Sequence, residues 1–312
     1  MRVVFMGSAP IAVPTLEYLH ASHDLAAVIT QPDQPAGRKR VLTPTAVKAR
    51  ALELGLPVWE PRKLKSAEFL DQLRAAHPDV VVVMAYGRLV PPAVLNLPKF
   101  GCINLHGSIL PEHRGPCPIE RGLLRGDDHT GITTFYMDEG FDTGDIIFTE
   151  PQPIGPDDSG GSLREKLSRL APQVIARTLE ALERGDAPRV PQDRAAGCHA
   201  PIIERAEARV DWTRSAADID RLVRACDPEP GAYTQFRGQP LKVKRVRVVP
   251  RPPGTFKPGE VIEGNTVAVG ENEAVALVEI QPAGKRWMSG DEFKNGYKPK
   301  AGEPLGEIAA VC

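Results

Sequence analysis

The sequence predicts an α/β chain, an open, doubly wound, mostly parallel sheet followed by a small OB-like β-barrel. Three observations carry that prediction. The first half alternates short apolar runs with helical patterns, the signature of βα units that build an open sheet with helices on both faces. Asp79-Val80-Val81-Val82-Val83-Met84-Ala85 is almost continuously apolar and β-branched, as a central parallel strand buried on both faces must be. Beyond residue 205 the pattern changes to about five short strand candidates separated by Gly/Pro turns, the spacing of a small barrel.

The elements follow in order. Val3–Met6 is the first strand, and Ile11–His20 a helix with Pro10 near its start. Leu25–Thr30 is the second strand and Thr45–Leu54 the second helix. After the short strand Val58–Trp59, Ser66 caps a helix running to about Ala76, with Phe69, Leu70 and Leu73 as its apolar positions. Residues 79–85 and Cys102–Leu105 continue the sheet. Ile132–Met137 and Ile146–Phe148 are expected to close it as an antiparallel pair, because only a short loop joins them. A long helix over Ser162–Arg184 completes the first domain, residues 1–188. Pro188, Pro191, Gly197 and Pro201 punctuate a polar stretch, so residues 189–206 are expected as a linker. The second domain, residues 207–312, opens with a helix over Ser215–Ala225. Strands are expected at 232–236, 241–249, 260–263, 266–270 and 274–280.

Composition limits the function classes. A chain of 312 residues with 42% apolar and 25% charged residues is globular rather than disordered. Its net charge of -1 means that contact with a polyanion must come from local clusters. No run approaches the roughly 18 apolar residues of a membrane span, and the N-terminus has no signal-peptide pattern. Five scattered cysteines without CxxC spacing argue against a disulfide framework or structural zinc, and fit a reducing cytoplasm.

Chemistry concentrates in two stretches, Asn104-Leu105-His106-Gly107-Ser108-Ile109-Leu110-Pro111 and Met137-Asp138-Glu139-Gly140-Phe141-Asp142-Thr143-Gly144-Asp145. Asn104 and His106 are two apart, so on an extended segment their side chains share one side. They sit at the carboxyl end of a strand, where open α/β sheets place their ligand crevices. Asp142, in a glycine-flanked loop, can reach His106 and orient it. An amide, an imidazole and a carboxylate together can stabilise an oxyanion and move a proton.

Other chemistries fit less well. The loop Gly7-Ser8-Ala9-Pro10 has one glycine where a dinucleotide fingerprint needs three. Ser108 lacks the glycine-flanked elbow of a serine hydrolase. No metal site is expected, since this motif holds one histidine, and His113 and His129 are separated from each other by Gly115 and Pro118. Two basic features point to nucleic acid. Arg38-Lys39-Arg40 ends a Pro/Gly-stiffened loop at the carboxyl edge of the sheet. From Arg237 to Lys257 there are seven Lys/Arg and no acid, with Lys242, Lys244 and Arg247 among them. Lys242 and Lys244 alternate outward, and the adjacent Lys244-Arg245 shifts that phase as a bulge does.

These segments together resemble the methionyl-tRNA formyltransferase family, essentially end to end. The likeness is carried by Gln31-Pro-Asp33-x-Pro-Ala-Gly-Arg38, Ala85-Tyr86-Gly87, Cys102-Ile-Asn104-x-His106-Gly-Ser108-x-Leu110-Pro111, Arg114-Gly115 and Met137-Asp138-x-Gly140-x-Asp142-Thr-Gly-Asp145. In the second half it is carried by Asp211-Trp212, Asp227-Pro-x-Pro230-Gly-Ala232 and Gln281-Pro-Ala-Gly284-Lys285-Arg286. The resemblance implies a formyltransferase Rossmann-like domain binding 10-formyltetrahydrofolate as formyl donor, without a metal, and an OB-like tRNA-binding domain. It implies catalytic roles for Asn104, His106 and Asp142, and a folate site lined by Ser108, Ile109, Leu110, Pro111, Tyr86 and Gly87. It also implies tRNA contacts from the loop of Arg38, Lys39 and Arg40, and the basic strand with Lys242, Lys244 and Arg247 is expected to add phosphate contacts. The reaction it implies is formylation of methionyl initiator tRNA in translation initiation, by a cytoplasmic monomer. A sugar-nucleotide formyltransferase or a 10-formyltetrahydrofolate hydrolase would use the same folate site. Glu112, Pro116-Cys117 and Phe141 depart from the family pattern, and Gly197–Arg205 matches it least.

Overall fold

A computed structural model describes residues 1–36 and 41–306. The chain packs as two compact units, each built from more than one segment. The first comprises Met1–Pro118, His129–Ile154 and Arg164–Pro201; the second comprises Ile119–Asp128, Gly155–Leu163 and the chain from Ile202 onward.

The first unit begins with β1 (Arg2–Gly7), α1 (Val13–Ser22) and β2 (Asp24–Ile29). A small hairpin follows, β3 (Gln34–Ala36) and β4 (Val41–Thr43), then α2 (Ala46–Glu53), β5 (Val58–Trp59) and α3 (Ala67–Ala75). Thr45 and Ser66 cap α2 and α3 by accepting from the Lys48 and Phe69 amides. Next come β6 (Val80–Met84), α4 (Pro92–Leu95) and β7 (Cys102–His106). The helix α5 (Pro118–Arg125) lies almost wholly in the second unit. β8 (His129–Tyr136), β9 (Ile146–Pro153) and the long α6 (Gly160–Arg184) complete the series.

Seven strands form one sheet in the order β5-β2-β1-β6-β7-β8-β9. The pairs from β5 to β7 are parallel and the last two pairs are antiparallel, β8 and β9 being joined by the short 137–145 connection. Val80–Met84 is buried at every position, which explains its unbroken apolar sequence. One face of the sheet presents Val4, Met6, Ala27, Ile29, Val81 and Val83 to Phe69 and Leu73 of α3. The strand order reverses between β1 and β6. There the loops after β1, β2 and β6 are tied together at their carboxyl ends. Ser8 N–H donates to the Ala85 carbonyl at 3.2 Å, and Gln31 Nε2 donates to the Tyr86 carbonyl at 2.6 Å. This is the crevice-forming point of an open α/β sheet.

The second unit is antiparallel. After α7 (Ala216–Ala225) come β10 (Tyr233–Phe236), β11 (Gln239–Val249), β12 (Val261–Glu263), β13 (Thr266–Val269), β14 (Glu273–Pro282) and β15 (Met288–Ser289). α8 (Gly290–Tyr297) follows, with a capping box between Ser289 and Glu292. The sheet runs β10-β11-β14-β13-β12, with β15 on β14. Its two edges are joined by residues 302–306. Leu305 N–H donates to the Gly259 carbonyl at 2.7 Å, beside β12, and Gly306 N–H donates to the Gln235 carbonyl of β10 at 2.9 Å. The sheet is thereby closed on itself, which removes its exposed edges. β11 shifts register on both sides of Arg245, so the bulge expected at Lys244-Arg245 is present.

Several elements were not anticipated from the sequence, namely the β3–β4 hairpin, α4, α5, β15 and α8. Residues 190–200, expected within the linker, are paired with the first unit. Val190 exchanges backbone hydrogen bonds with Ile146 at 2.9 and 3.0 Å, and Arg114 N–H donates to the Cys198 carbonyl at 3.0 Å. No helix among the described residues is long and apolar enough to cross a membrane.

Candidate active site

The site is built on the carboxyl end of β7. Alternation along the strand puts Asn104 and His106 on one side and Leu105 on the other. His106 is buried. Its Nε2 lies 2.9 Å from the His113 carbonyl, which can only accept, so Nε2 carries a hydrogen. The other ring nitrogen, Nδ1, faces Asp142 Oδ2 at 3.6 Å, an ion-pair separation longer than a hydrogen bond. A proton on Nδ1 would make the ring an imidazolium opposite a carboxylate. The partly exposed Asn104 side chain makes no hydrogen bond among the described residues, so its amide is available to a ligand.

Asp142 is positioned by its backbone and by two partners. It adopts φ 55°, the left-handed conformation that Asp tolerates better than most residues. Its Oδ2 accepts the Gly115 N–H at 2.8 Å, which fixes the carboxylate beside His106. A Cβ at Gly144 would collide with the Tyr136 carbonyl, so this loop closes so tightly only with glycine there.

Gln192 holds the loop from the other side. Its Nε2 donates to the Asp142 carbonyl at 3.0 Å and to the Gly144 carbonyl at 2.7 Å. Its Oε1 accepts from Arg114 Nε at 3.1 Å and Nη2 at 2.9 Å. Arg114 donates onward to the carbonyls of Asp193 at 2.9 Å and Ala196 at 3.1 Å. Sequence reading did not find Gln192 or the His113 carbonyl. The only local signal was the Arg114-Gly115 pair, whose arginine is the hub of this network.

The residues expected to line a folate site are arranged unevenly. The Ser108 hydroxyl is buried and donates to the Glu112 carbonyl at 2.6 Å, so its side chain braces the turn. Leu110 is buried with its N–H on Thr133 Oγ1 at 3.2 Å; Ile109 and Pro111 are half-buried. Tyr86, also expected there, is buried. Its side chain is 2% exposed within the core under the sheet, and it offers the crevice only backbone, because the apolar pocket around the ring outweighs the phenol's polarity. Burial pushes that phenol above its ordinary range, and its hydroxyl has no hydrogen-bond partner among the described residues. Gly87 adopts φ 78°, and a Cβ there would lie 2.7 Å from Gln31 Nε2. Glycine is what lets the β6 and β2 loops meet.

The basic residues divide. Arg38, Lys39 and Arg40 lie outside the described residues. Lys242 and Arg247 are exposed on β11 and have no ion-pair partner among the described residues. Lys244 differs. The bulge turns it toward Glu279, 3.0 Å away, and its ammonium lies 5.7 Å from the Trp287 ring, so part of its charge is already balanced. Arg237 is likewise engaged, with both oxygens of Glu303.

Comparison with known proteins agrees with this architecture. Residues 1–179 match the family described as Formyl transferase, and residues 202–298 match Formyl transferase, C-terminal domain. The chain belongs to the formyl transferase family. It is 43% identical to the methionyl-tRNA formyltransferase of Pelotomaculum thermopropionicum, over 99% of this chain and all of that protein. It is 40% identical to the methionyl-tRNA formyltransferase of Geobacter sulfurreducens, over 100% of this chain and 98% of that one. Within the family these full-length matches place it with the methionyl-tRNA formyltransferases.

Among solved structures, HypX from Aquifex aeolicus in complex with tetrahydrofolic acid superposes with a TM-score of 0.64 at 20% identity, over 95% of this chain and 48% of HypX. The N-formyltransferase from Helicobacter canadensis, in complex with folinic acid and dTDP-3-aminofucose, gives 0.65 at 16% identity, over 90% of this chain and 98% of that one. At such identities the likeness shows the fold.

Proposed function

We propose that this chain transfers the formyl group of 10-formyltetrahydrofolate to the free α-amine of methionine on initiator tRNA, in translation initiation. The observation that carries the mechanism is the placement of His106 between the His113 carbonyl and Asp142, with the unengaged Asn104 amide on the same strand face. The fold and the full-length likeness to methionyl-tRNA formyltransferases support the substrate pair.

In direct transfer the amine attacks the formyl carbon, a new C–N bond forms, and the bond from that carbon to N10 of the folate breaks. Between those events the formyl oxygen carries negative charge. Asn104 donates its amide hydrogen to that oxygen, and one such donor lowers the barrier by about 3 kcal/mol. The His106 Nε2–H, directed at the His113 carbonyl in the free protein, is shared with the same oxygen. Asp142 on the Nδ1 side balances the charge of the imidazolium and takes part in moving the amine proton to N10. No nucleophilic side chain is required. The first unit supplies the folate site at the β1–β6 crevice; the second supplies a basic barrel face for tRNA.

The test is to incubate the full chain with 10-formyltetrahydrofolate and methionyl initiator tRNA and to analyse the aminoacyl ester. Formylmethionyl-tRNA is expected, with turnover reduced by orders of magnitude in His106→Ala. Release of tetrahydrofolate and free formate without formylation of the ester would establish the hydrolase instead. Formylation of an aminosugar nucleotide but not of the ester would establish the sugar enzyme.

A further inference from the structure

One group of side chains in the first unit lies behind the site, and the formyl-transfer mechanism does not use it. Glu112, His113 and Cys198 bring a carboxylate oxygen, Nδ1 and Sγ to within 4.8 Å of one another. The Cys198 sulfur is 3.4 Å from Glu112 Oε2 and 3.4 Å from His113 Nδ1. In a tetrahedral site with zinc–sulfur bonds of about 2.3 Å and zinc–nitrogen or zinc–oxygen bonds of about 2.0–2.2 Å, neighbouring ligand atoms stand about 3.3–3.6 Å apart. The two sulfur-centred edges are therefore already at ligand spacing.

The backbone fixes this arrangement independently of the three side chains. Arg114 N–H donates to the Cys198 carbonyl at 3.0 Å, and Ala200 N–H donates to the Arg114 carbonyl at 2.7 Å. The Glu112 carbonyl accepts the Ser108 hydroxyl, and Glu112 N–H donates to the Ile109 carbonyl at 3.1 Å. His113 is buried, while Glu112 and Cys198 are half-exposed, which leaves a route for an ion from solvent. The ligands come from two segments, residues 112–113 and residue 198, joined by the backbone hydrogen bonds of Arg114.

We propose that Glu112, His113 and Cys198 bind one borderline divalent cation of the Zn²⁺ class. A thiolate and an imidazole select such an ion over Mg²⁺ or Ca²⁺, which take oxygen ligands. In the metal-free protein the Cys198 thiol donates to Glu112. On binding, the thiol proton passes to solvent, the thiolate, the carboxylate and Nδ1 bond to the ion, and no oxidation state changes. The His113 whose side chain would bind the ion is also the residue whose carbonyl holds His106 Nε2, so the ion would lock the turn that orients the catalytic ring. This proposal does not depend on the identity of the formyl acceptor.

The test uses the full chain freed of metal by chelation, with Co²⁺ as the spectroscopic probe and Zn²⁺ as competitor. One equivalent of Co²⁺ is expected to produce a thiolate-to-cobalt charge-transfer band that Zn²⁺ abolishes. Cys198→Ser should remove the band, and Cys117→Ser should leave it intact. Glu112→Gln should keep the band but weaken Zn²⁺ binding by about 10-fold or more, since even outer-shell losses cost about 10–100-fold. Zn²⁺ should raise the melting temperature of the wild-type chain and not that of Cys198→Ser. No charge-transfer band at one equivalent, or a band that survives Cys198→Ser, would show that the three groups form only a hydrogen-bonded cluster.

Discussion

At the scale of single residues, His106 has Nε2 on the His113 carbonyl and Nδ1 facing the Asp142 carboxylate, whereas Asn104 has no side-chain hydrogen bond among the described residues. The ring is held and oriented by its neighbours, whereas the amide is free to meet a substrate oxygen in the proposed mechanism. Asn104→Ala should therefore lower kcat by about 10²–10³, the cost of one oxyanion donor, while the melting temperature barely moves. Single-turnover formylation beside a thermal melt checks this, and near-normal turnover would remove Asn104 from the mechanism. The pairing of Asn104 with His106 was legible because alternation along a strand is a local rule. The meeting with Asp142 was legible as a possibility, through its glycine-flanked loop. The His113 carbonyl was not legible, because any residue has one. Gln192 reaches the Asp142 carbonyl from 50 residues away in a stretch rich in Pro and polar residues, where no periodicity marks a contact.

At the scale of elements, the 190–200 segment acts as a brace for the 142–144 loop. Gln192→Ala removes two donors to that loop, each worth about 0.5–1.5 kcal/mol. The expected result is a fall in kcat of roughly 10-fold, about 1.4 kcal/mol, with little loss of tRNA affinity. Gln192→Glu should not restore it, because a carboxylate cannot donate to carbonyls. Steady-state kinetics that show an unchanged kcat would make the brace irrelevant to catalysis. β11 offers the other element-level test. The phase shift at Lys244-Arg245 was readable in the sequence, but its consequence was not, since Glu279 comes from the partner strand. Charge removal at Lys242 and Arg247 should weaken tRNA binding and lower the salt slope by roughly 0.7–0.9 per lost phosphate contact. Removal at Lys244 should do less, because Glu279 already balances it. Filter binding across a salt series distinguishes the two, and equal effects would mean that the ion pair opens on binding. The continuous run of β6 made the sheet legible, whereas the β3–β4 hairpin, with Pro35 in a three-residue strand, carried no strand pattern.

At the scale of the whole molecule, acidity should act on the second unit through specific pairs. Hydrogen bonds from the Arg121 side chain hold Glu207 below the ordinary carboxylate range, and those from Arg237 do the same for Glu303. The Thr213 hydroxyl and then its amide lower Asp211. A carboxylate depressed in the folded state stabilises above its unfolded value, and that contribution is lost as pH falls through the folded one. Stability of the second unit should thus decline progressively as pH drops below the ordinary carboxylate range. The effect per group is small, because these pairs are largely solvent-exposed. Amide exchange of β10 and β11 peptides against pH is the measurement, and exchange that stays flat down to pH about 3 would dismiss these pairs as stabilisers.

The division of the chain into two units has a consequence for inheritance and engineering. The polypeptide passes from one unit to the other at 118/119, 128/129, 154/155, 163/164 and 201/202. A single crossover between two homologous genes at position 201 would exchange only the last of three segments. The recipient would keep its own Ile119–Asp128 and Gly155–Leu163, together with partners within that unit such as Glu207 for Arg121 and Arg245 for Asp157, which would now come from a foreign sequence. Exchanging the second unit between relatives therefore requires moving three stretches together, and selection should have carried them as one linked block.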